Sequence, residues 1–533
     1  MNSSSRALQL CGLMLGLALV VALGWPDEGF WFLGDAARHA NTGLFVAELL
    51  RELPRDPVAF ALAYYARSPV IVPLMYPPAF HLLEGLAFLV LPPTPWVAKG
   101  LVLGFAAMAA AYAMAWGRRW LAPQAGWAGL LLLLMPGVAL YANGVLLNLP
   151  ATALGLGALY HLRDGLETGR RSAWIAFAAL SVAAVLTYYP AVLGIGVALA
   201  WTLAARRWRG ARRLVLLLLV LLAVTGLLAA SLPVHLARNL PAPGLLLAPE
   251  RWLFYGQALQ ELAGLPLLVA ALAGLAGASL QPAWRSEAGR LALGLGVILL
   301  CLVPLPARDV RYALLATPLL AWSALLLPLS LLPSVAARWQ GPAISGGVLG
   351  LLLAALPGCL AVEVPVVMGF ESAATYLAQQ GPHDTVMYDG RHEAVFGFHL
   401  RAADPARQRR LVLAEQVFNR RSQDRDFTRR NQALAETPEE VRKAWRESSG
   451  ARWVLVEIRD ESKLSATSRD LRTVLAGPDF EHVASFPLRT PATIRLDLYR
   501  ARTDPLPVWG VDVHFPAVSN RVYRAVVPLP KRP

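Results

Sequence analysis

The chain predicts a polytopic α-helical membrane protein that ends in an extramembrane α/β domain. Three observations carry this. Hydrophobic residues make up 56% of the 533 and charged residues only 16%, more apolar surface than a soluble domain of this length can hide. Apolar runs near the roughly 20 residues needed to span about 30 Å of hydrocarbon recur through the first two-thirds. Near Val362 the composition then shifts to that of an ordinary soluble domain.

The apolar stretches are Leu8 to Gly24, Pro77 to Val90, Val97 to Trp116, Trp127 to His161 (broken by Pro136 and Pro150), Ala173 to Thr187, Ala191 to Ala205, Leu214 to Leu232, Leu262 to Leu280, Leu291 to Leu305, Ala313 to Leu332 and Ile344 to Val362. They amount to about eleven spans. The first is preceded only by Arg6 and lacks a small-residue cleavage site, which reads as a retained helix with a cytoplasmic N-terminus. Between the first two lies an external loop, residues 25–76, with apolar residues at helical spacing from Asp35 to Leu53 and again from Pro57 to Tyr65. These are expected to lie flat at the interface as a roof over the bundle. The domains expected are therefore 1–365, membrane, and 366–533, α/β with a proline-rich tail.

In the tail, Glu371 to Gln380 reads as a helix ended by Gly381 and Pro382, and Thr385 to Tyr388 as a strand stopping at Asp389 and Gly390. Pro438 to Ser448 reads as a helix, Trp453 to Ile458 as a buried strand, and Val483 to Phe486 with Thr493 to Tyr499 as a closing pair. Arg407 to Arg430, crowded with alternating charge, reads as a solvated helix or loop. From Arg502 the chain is proline-punctuated and aperiodic.

Net charge is +14. Alternating the spans places Arg163, Arg170, Arg171, the run Arg206 to Arg213, Arg285, Arg290 and Arg338 in cytoplasmic loops, so membrane topology and not nucleic acid accounts for most of the excess. Arg118 and Arg119 fall on the wrong side, which marks the span between them and Arg163 as re-entrant or miscounted. The tail then faces outward, as expected of a bacterial inner-membrane protein with an extracytoplasmic C-terminal domain. Cys11, Cys301 and Cys359 lie in apolar spans and suggest neither a disulfide framework nor a metal site.

Several polar residues gather at the membrane surface. Asp35, at the start of an interfacial helix, reads either as its N-cap or as a general base whose proton affinity is tuned by a partly dehydrated site. Asp27 and Glu28, just past the first span, are further candidate catalytic acids, or ordinary loop acids. Arg308, Asp309 and Arg311 precede Tyr312 in a short loop on the same outward face, where two guanidinium groups can snorkel or hold a phosphate through paired hydrogen bonds. His81 and Glu84 read as helix-surface partners or half of a metal site. No cluster demands a divalent cation, and no cofactor is indicated. Asn143 and Asn148 sit in a broken span, where polar groups line cavities or satisfy freed backbone, and Tyr188 and Tyr189 read as an aromatic belt.

Asp35-Ala-Ala-Arg38-His39-Ala40 resembles the Asp-Glu-Ala-Arg-Tyr-Ala motif in the first external loop of GT-C glycosyltransferases of the family 39 and ArnT-like type, relatives of the dolichyl-phosphate-mannose protein mannosyltransferases. Tyr76-Pro77-Pro78-Ala79-Phe80-His81 is similar to the segment opening their second span, and Arg311-Tyr312 with Pro318 to their Arg-Tyr-x-x-Pro-x-x-Pro segment. The resemblance covers the membrane domain. It departs at Ala36, where the family motif has Glu, at Tyr76, where some relatives have Lys, and at Asn148, a position often acidic.

The resemblance implies a GT-C fold and an inverting transferase that takes a sugar from a polyprenyl-phosphate donor and passes it to a lipid, glycan or protein acceptor outside the membrane. Asp35 would be the base or an acceptor-orienting group, Arg311 with Arg308 would bind the leaving phosphate, and Arg38 and His39 would shape the pocket. Tyr76, His81 and Tyr312 complete the substrate-binding candidates. A transporter or flippase, and a non-catalytic assembly protein of the envelope, are the alternatives.

Overall fold

A computed structural model describes residues 3–24, 29–30, 34–71, 76–204, 243–331, 337–380, 384–423, 429–460, 462, 464–490, 493–504, 506, 508, 510–514 and 522–526. In chain order the first elements are α1 (Ser3–Leu23), α2 (Asp35–Glu52), α3 (Pro57–Arg67), α4 (Ala79–Val90), α5 (Pro95–Trp116), α6 (Ala128–Leu133), α7 (Pro136–Ala142) and α8 (Asn148–Thr168). There follow α9 (Arg171–Thr187), α10 (Val192–Ala204), α11 (Pro249–Ala263), α12 (Leu265–Leu280), α13 (Arg285–Leu302), α14 (Thr317–Ser330) and α15 (Ala337–Leu360). The remainder is α16 (Phe370–Gln379), β1 (Thr385–Asp389), α17 (Glu393–Ala403), β2 (Arg410–Leu413), α18 (Ala414–Phe418), β3 (Asn419–Gln423), β4 (Arg429–Ala433), α19 (Pro438–Ala444), β5 (Ala451–Arg459), α20 (Ala466–Leu475), β6 (Phe480–Pro487), β7 (Thr493–Ala501), β8 (Gly510–His514) and β9 (Val522–Val526).

The chain forms two compact units. One comprises Met1–Pro26, Tyr76–Phe80 and Lys99–Val364; the other comprises Asp27–Met75, His81–Ala98 and Pro365–Pro533. Most of the loop expected to be external thus clusters with the C-terminal residues.

In the first unit, small residues let helices approach closely, as expected where apolar surroundings supply no hydrophobic drive between them. A Cβ at Gly274 of α12 would lie 2.1 Å from the Ser323 carbonyl of α14. Trp116 and Trp322 stack with centroids 4.5 Å apart, and the Trp322 indole donates to the Ala113 carbonyl at 3.1 Å. Among the described residues four helices are long and apolar enough to cross a membrane, or up to six if each of two bent pairs is one span. This is fewer than about eleven because several apolar stretches form short helices and because Leu214 to Leu232 lies outside the described residues. At 12 residues, α4 reaches only about 18 Å and falls short of the hydrocarbon thickness.

The stretch from Trp127 to His161 is two passes and not one. Gln9 on α1 donates to the Pro123 carbonyl at 2.9 Å, and Asn143 donates to the Val20 carbonyl at 2.8 Å, so the bent pair through α6 and α7 runs alongside α1. Helix α8 then returns, since Arg119 pairs with Asp164 at 2.5 Å and Trp120 donates to Glu167 at 2.8 Å. Arg118, Arg119 and Arg163 therefore share one end of the bundle, and their apparent topological conflict disappears. Asn143 and Asn148 lie at the other end, where α1 finishes.

In the second unit the sheet order is β2-β1-β5-β7-β6, with β2, β1 and β5 parallel and β7 antiparallel to both its neighbours. Its apolar core gathers Met387, Val412, Val454, Val456, Leu471 and Trp445. The expected helix at Glu371, the strands at Thr385 and Trp453 and the closing pair are all present; Gly381 and Pro382 lie outside the described residues. Three readings need correction. The stretch Arg407 to Arg430 is not a solvated helix or loop, because its Leu411, Val412 and Leu413 form a buried edge strand beside β1. The aperiodic tail contains the β8–β9 hairpin. Helices α17 and α20 fill stretches left unassigned.

The same unit holds α2 and α3, packed through Phe45, Tyr64 and Ile71, and the Phe30–Phe398 edge contact with ring centroids 4.8 Å apart. Helix α3 starts at Pro57 because Asp56 accepts from the Val58 and Ala59 amides.

Candidate active site

The sequence candidates divide between the two units. In the first, Asp309 caps the 3-10 turn Val310–Ala316 by accepting from the Arg311 amide at 3.1 Å, and its second oxygen pairs with Arg311 Nε at 2.8 Å. The turn is tied to the start of α8 by Asn148 Nδ2, which donates to the Arg311 carbonyl at 3.4 Å. The Tyr188 phenol faces Asn148, Arg311, Tyr312 and Tyr76. Tyr141 faces Asp309 and Arg311, and Tyr255 faces Tyr312, Asp309, Arg251 and Arg308. The result is an Arg–Asp pair ringed by phenols at the end of the bundle where α1 finishes, with Arg308 above the Phe254 ring at 5.5 Å. A guanidinium with phenolic donors around it suits phosphate oxygens, because charge-assisted hydrogen bonds are about twice as strong as neutral ones. Tyr141, Tyr255 and Arg251 were not anticipated. Tyr188 is part of this cluster, so the aromatic-belt reading does not describe it.

In the second unit, α2 begins at Asp35 itself. Its N-cap is Gly34, without a side-chain cap, so the N-cap reading of Asp35 is wrong. As the first helical residue, its carboxylate lies at the positive end of the helix dipole. Arg38 pairs with Glu393 at 2.5 Å, and Asn41 donates to the Ala394 carbonyl at 2.8 Å, which moors the first turns of α2 to the start of α17. His39 Nδ1 and His81 Nε2 are 3.0 Å apart across the α2–α4 contact. One turn further on, Glu84 lies against Gly43, where a Cβ would come within 2.4 Å of its carboxylate oxygen. His81 and Glu84 are buried, not surface partners. Among the described residues no group of three His, Cys, Asp or Glu side chains is arranged to hold a metal ion. Asp27 and Glu28 lie outside the described residues. None of the three cysteines is paired.

A buried network closes the carboxyl ends of the parallel strands. Glu457 accepts from the Tyr388 phenol, from the His392 amide at 3.0 Å and from His392 Nδ1 at 3.1 Å. Burial works against its charge but is outweighed by these bonds and by His392, so the carboxyl is held down at about 2. Asp389 beside it takes hydrogen bonds from Ser468 at 3.0 Å and Arg472 at 2.9 Å.

Solved structures align over most of the chain. ArnT from Cupriavidus metallidurans bound to undecaprenyl phosphate aligns with TM-score 0.56 at 16% identity, over 93% of this chain and 99% of that one. The fold is similar to that of this ArnT. The arabinofuranosyltransferase AftD from Mycobacteria aligns with TM-score 0.54 at 16% identity, over 95% of this chain and 41% of its own. The archaeal oligosaccharyltransferase AglB from Archaeoglobus fulgidus, in complex with an inhibitory peptide and a dolichol-phosphate, aligns with TM-score 0.55 at 11% identity over 86% and 70%. No family model and no curated protein sequence matches the chain.

Proposed function

We propose that this protein is a membrane glycosyltransferase that moves a sugar from a polyprenyl-phosphate donor to an acceptor on the extracytoplasmic face. The observation that carries the proposal is the Arg311–Asp309 pair with phenols around it at the end of the bundle where α1 finishes. The donor already carries a good leaving group. The protein need only orient the acceptor hydroxyl, take its proton and stabilise the charge that appears as the bond breaks.

In this reading Asp35 accepts the hydroxyl proton, the acceptor oxygen forms a bond to the anomeric carbon with inversion, and the carbon–oxygen bond to phosphate breaks. The electron pair leaves with polyprenyl phosphate, whose oxygens are met by Arg311 and the surrounding phenols. Arg308 adds positive charge at the same end of the bundle. Asp309 acts through Arg311 by fixing its direction.

The test is reconstitution in liposomes with a panel of undecaprenyl-phospho-hexoses and undecaprenyl-phospho-pentoses and membrane extract as acceptor. Sugar transfer should fall about a hundredfold or more in Asp35→Asn, while undecaprenyl phosphate binding persists. Binding itself should weaken in Arg311→Gln. Full transfer by Asp35→Asn rules the proposal out, because a carrier or a scaffold would tolerate that change.

A further inference from the structure

A cavity lies within the second unit, away from Asp35. It encloses about 290 Å³ between the end of α3, the inner face of α17 and the loop from Asp404 to Arg409. That is near the lower end of small-ligand pockets, about 300 Å³. Glu52, at the far end of α2 from Asp35, lines it. With a rise of about 1.5 Å per residue, the cavity sits roughly 25 Å along that helix from Asp35.

Four guanidinium groups line the cavity, from Arg67, Arg401, Arg407 and Arg409. Three are engaged. Arg401 pairs with Glu48 at 2.6 Å, and Arg407 pairs with Glu48 at 3.4 Å and with Glu52. Arg409 donates to the Ala378 carbonyl at 3.1 Å and to that of Gln380 at 2.5 Å. Arg67 makes no hydrogen bond or ion pair among the described residues. Burial, and then repulsion from Arg401, lowers its hold on its proton, partly offset by attraction to Asp404 and Glu48. An anion on Arg67 would relieve that repulsion.

The loop that closes the cavity is held in an uncommon shape. Arg407 adopts φ +57°, a left-handed conformation rare for a side chain of this size. Asp404 maintains it by accepting from the Arg407 amide through its carbonyl at 3.0 Å and from the Arg409 amide through its carboxylate at 2.7 Å. Phe60, Ala63, Leu400 and Leu411 add apolar surface to the lining, with the Arg407 guanidinium over the Phe60 ring at 5.9 Å.

We propose that this cavity binds a sugar-sized molecule bearing a carboxylate or phosphate, with the oxyanion on the Arg67 guanidinium and the body against Phe60, Ala63 and Leu400. The inference concerns binding alone and holds whether or not the glycosyl-transfer proposal does. The full-length protein in detergent is treated with phenylglyoxal, which modifies arginine, and modified peptides are followed by mass spectrometry. Glucose 1-phosphate or glucuronate should slow modification of Arg67 about tenfold, with neutral glucose inert and exposed Arg55 unprotected. In thermal-shift titrations Arg67→Gln should bind the protecting anion about tenfold more weakly than wild type, and Arg55→Gln as tightly. Failure of both anions to protect Arg67, equal protection by glucose, or protection by inorganic phosphate as strong as by glucose 1-phosphate overturns the proposal. So does unchanged affinity in Arg67→Gln. Because the labelling arm uses the wild-type protein, a variant that fails to fold leaves the test intact.

Discussion

Replacing Glu457 by Gln should loosen the α/β domain by about 3 kcal/mol. The carboxyl is held at about 2 against an ordinary value of 4.5, a shift worth about 1.4 kcal/mol per unit. A carboxamide keeps the shape but not the charge: the Tyr388 phenol, the His392 amide and His392 Nδ1 all meet one oxygen of Glu457, and a neutral acceptor holds them more weakly than a carboxylate. The assay is hydrogen exchange of the full-length protein in detergent, resolved by mass spectrometry to peptides covering β5 and the start of α17. A loss of about 3 kcal/mol of local stability accelerates their exchange roughly a hundredfold. The sign with pH follows from a depressed carboxyl. In the wild type the stabilisation is fully present above about pH 4.5 and disappears as pH falls toward 2, after correction for intrinsic exchange rates. The variant should lack that step. Exchange in Glu457→Gln within about threefold of wild type at pH 7, or an unchanged acid profile, would refute the account.

Three further outcomes are expected. Gly43→Ala should cost about 1–3 kcal/mol in detergent thermal unfolding, because its Cβ would fall 2.4 Å from the Glu84 carboxylate, whereas Gly100→Ala, with open space around it, should cost nothing. Glu84→Met should raise thermal stability by about 1–3 kcal/mol, since both carboxyl oxygens are buried without a hydrogen-bond partner; a fall instead would show that the acid makes a contact worth keeping. Asp309→Ala should weaken undecaprenyl phosphate binding about tenfold, measured by titration in detergent, because it removes both the turn's cap and the Arg311 ion pair; equal affinity would mean that Arg311 needs no such support.

Much of the fold was legible because local pattern and tertiary environment agree. The centre of strand β5 reads as an apolar run, Trp453 to Val456, because it lies buried between β1 and β7, and α2 and α3 repeat apolar residues at helical spacing. Legibility failed where a local cue had two tertiary meanings. Pro136 and Pro150 looked like breaks in one span; the first marks a 59° bend and the second lies in the first turn of the returning helix. In α17, Gly397 interrupts an apolar run that otherwise suits a helix, and it is there because a Cβ would strike Val70 at 2.6 Å. The charges after Arg407 suggested solvation, yet Arg407 and Arg409 face a cavity and Leu411 to Leu413 enter the sheet.

The candidate site was legible by residue type but not by partnership, and the reason is sequence distance. Arg38 and Glu393 are 355 positions apart, His39 and His81 are 42 apart, and Asn148 and Arg311 are 163 apart. No periodicity reports such pairs. The consequence is mechanical as well as interpretive. Arg38, expected to shape a pocket, is engaged with Glu393, and Asn41 binds the next residue's carbonyl, so the helix that starts at Asp35 is fastened to the α/β domain at two points within its first two turns. Single exposed ion pairs contribute little, but this one is partly covered and backed by a buried amide bond, which makes it a firmer hold than either contact alone. The C-terminal α/β residues are thereby part of what holds α2 in place.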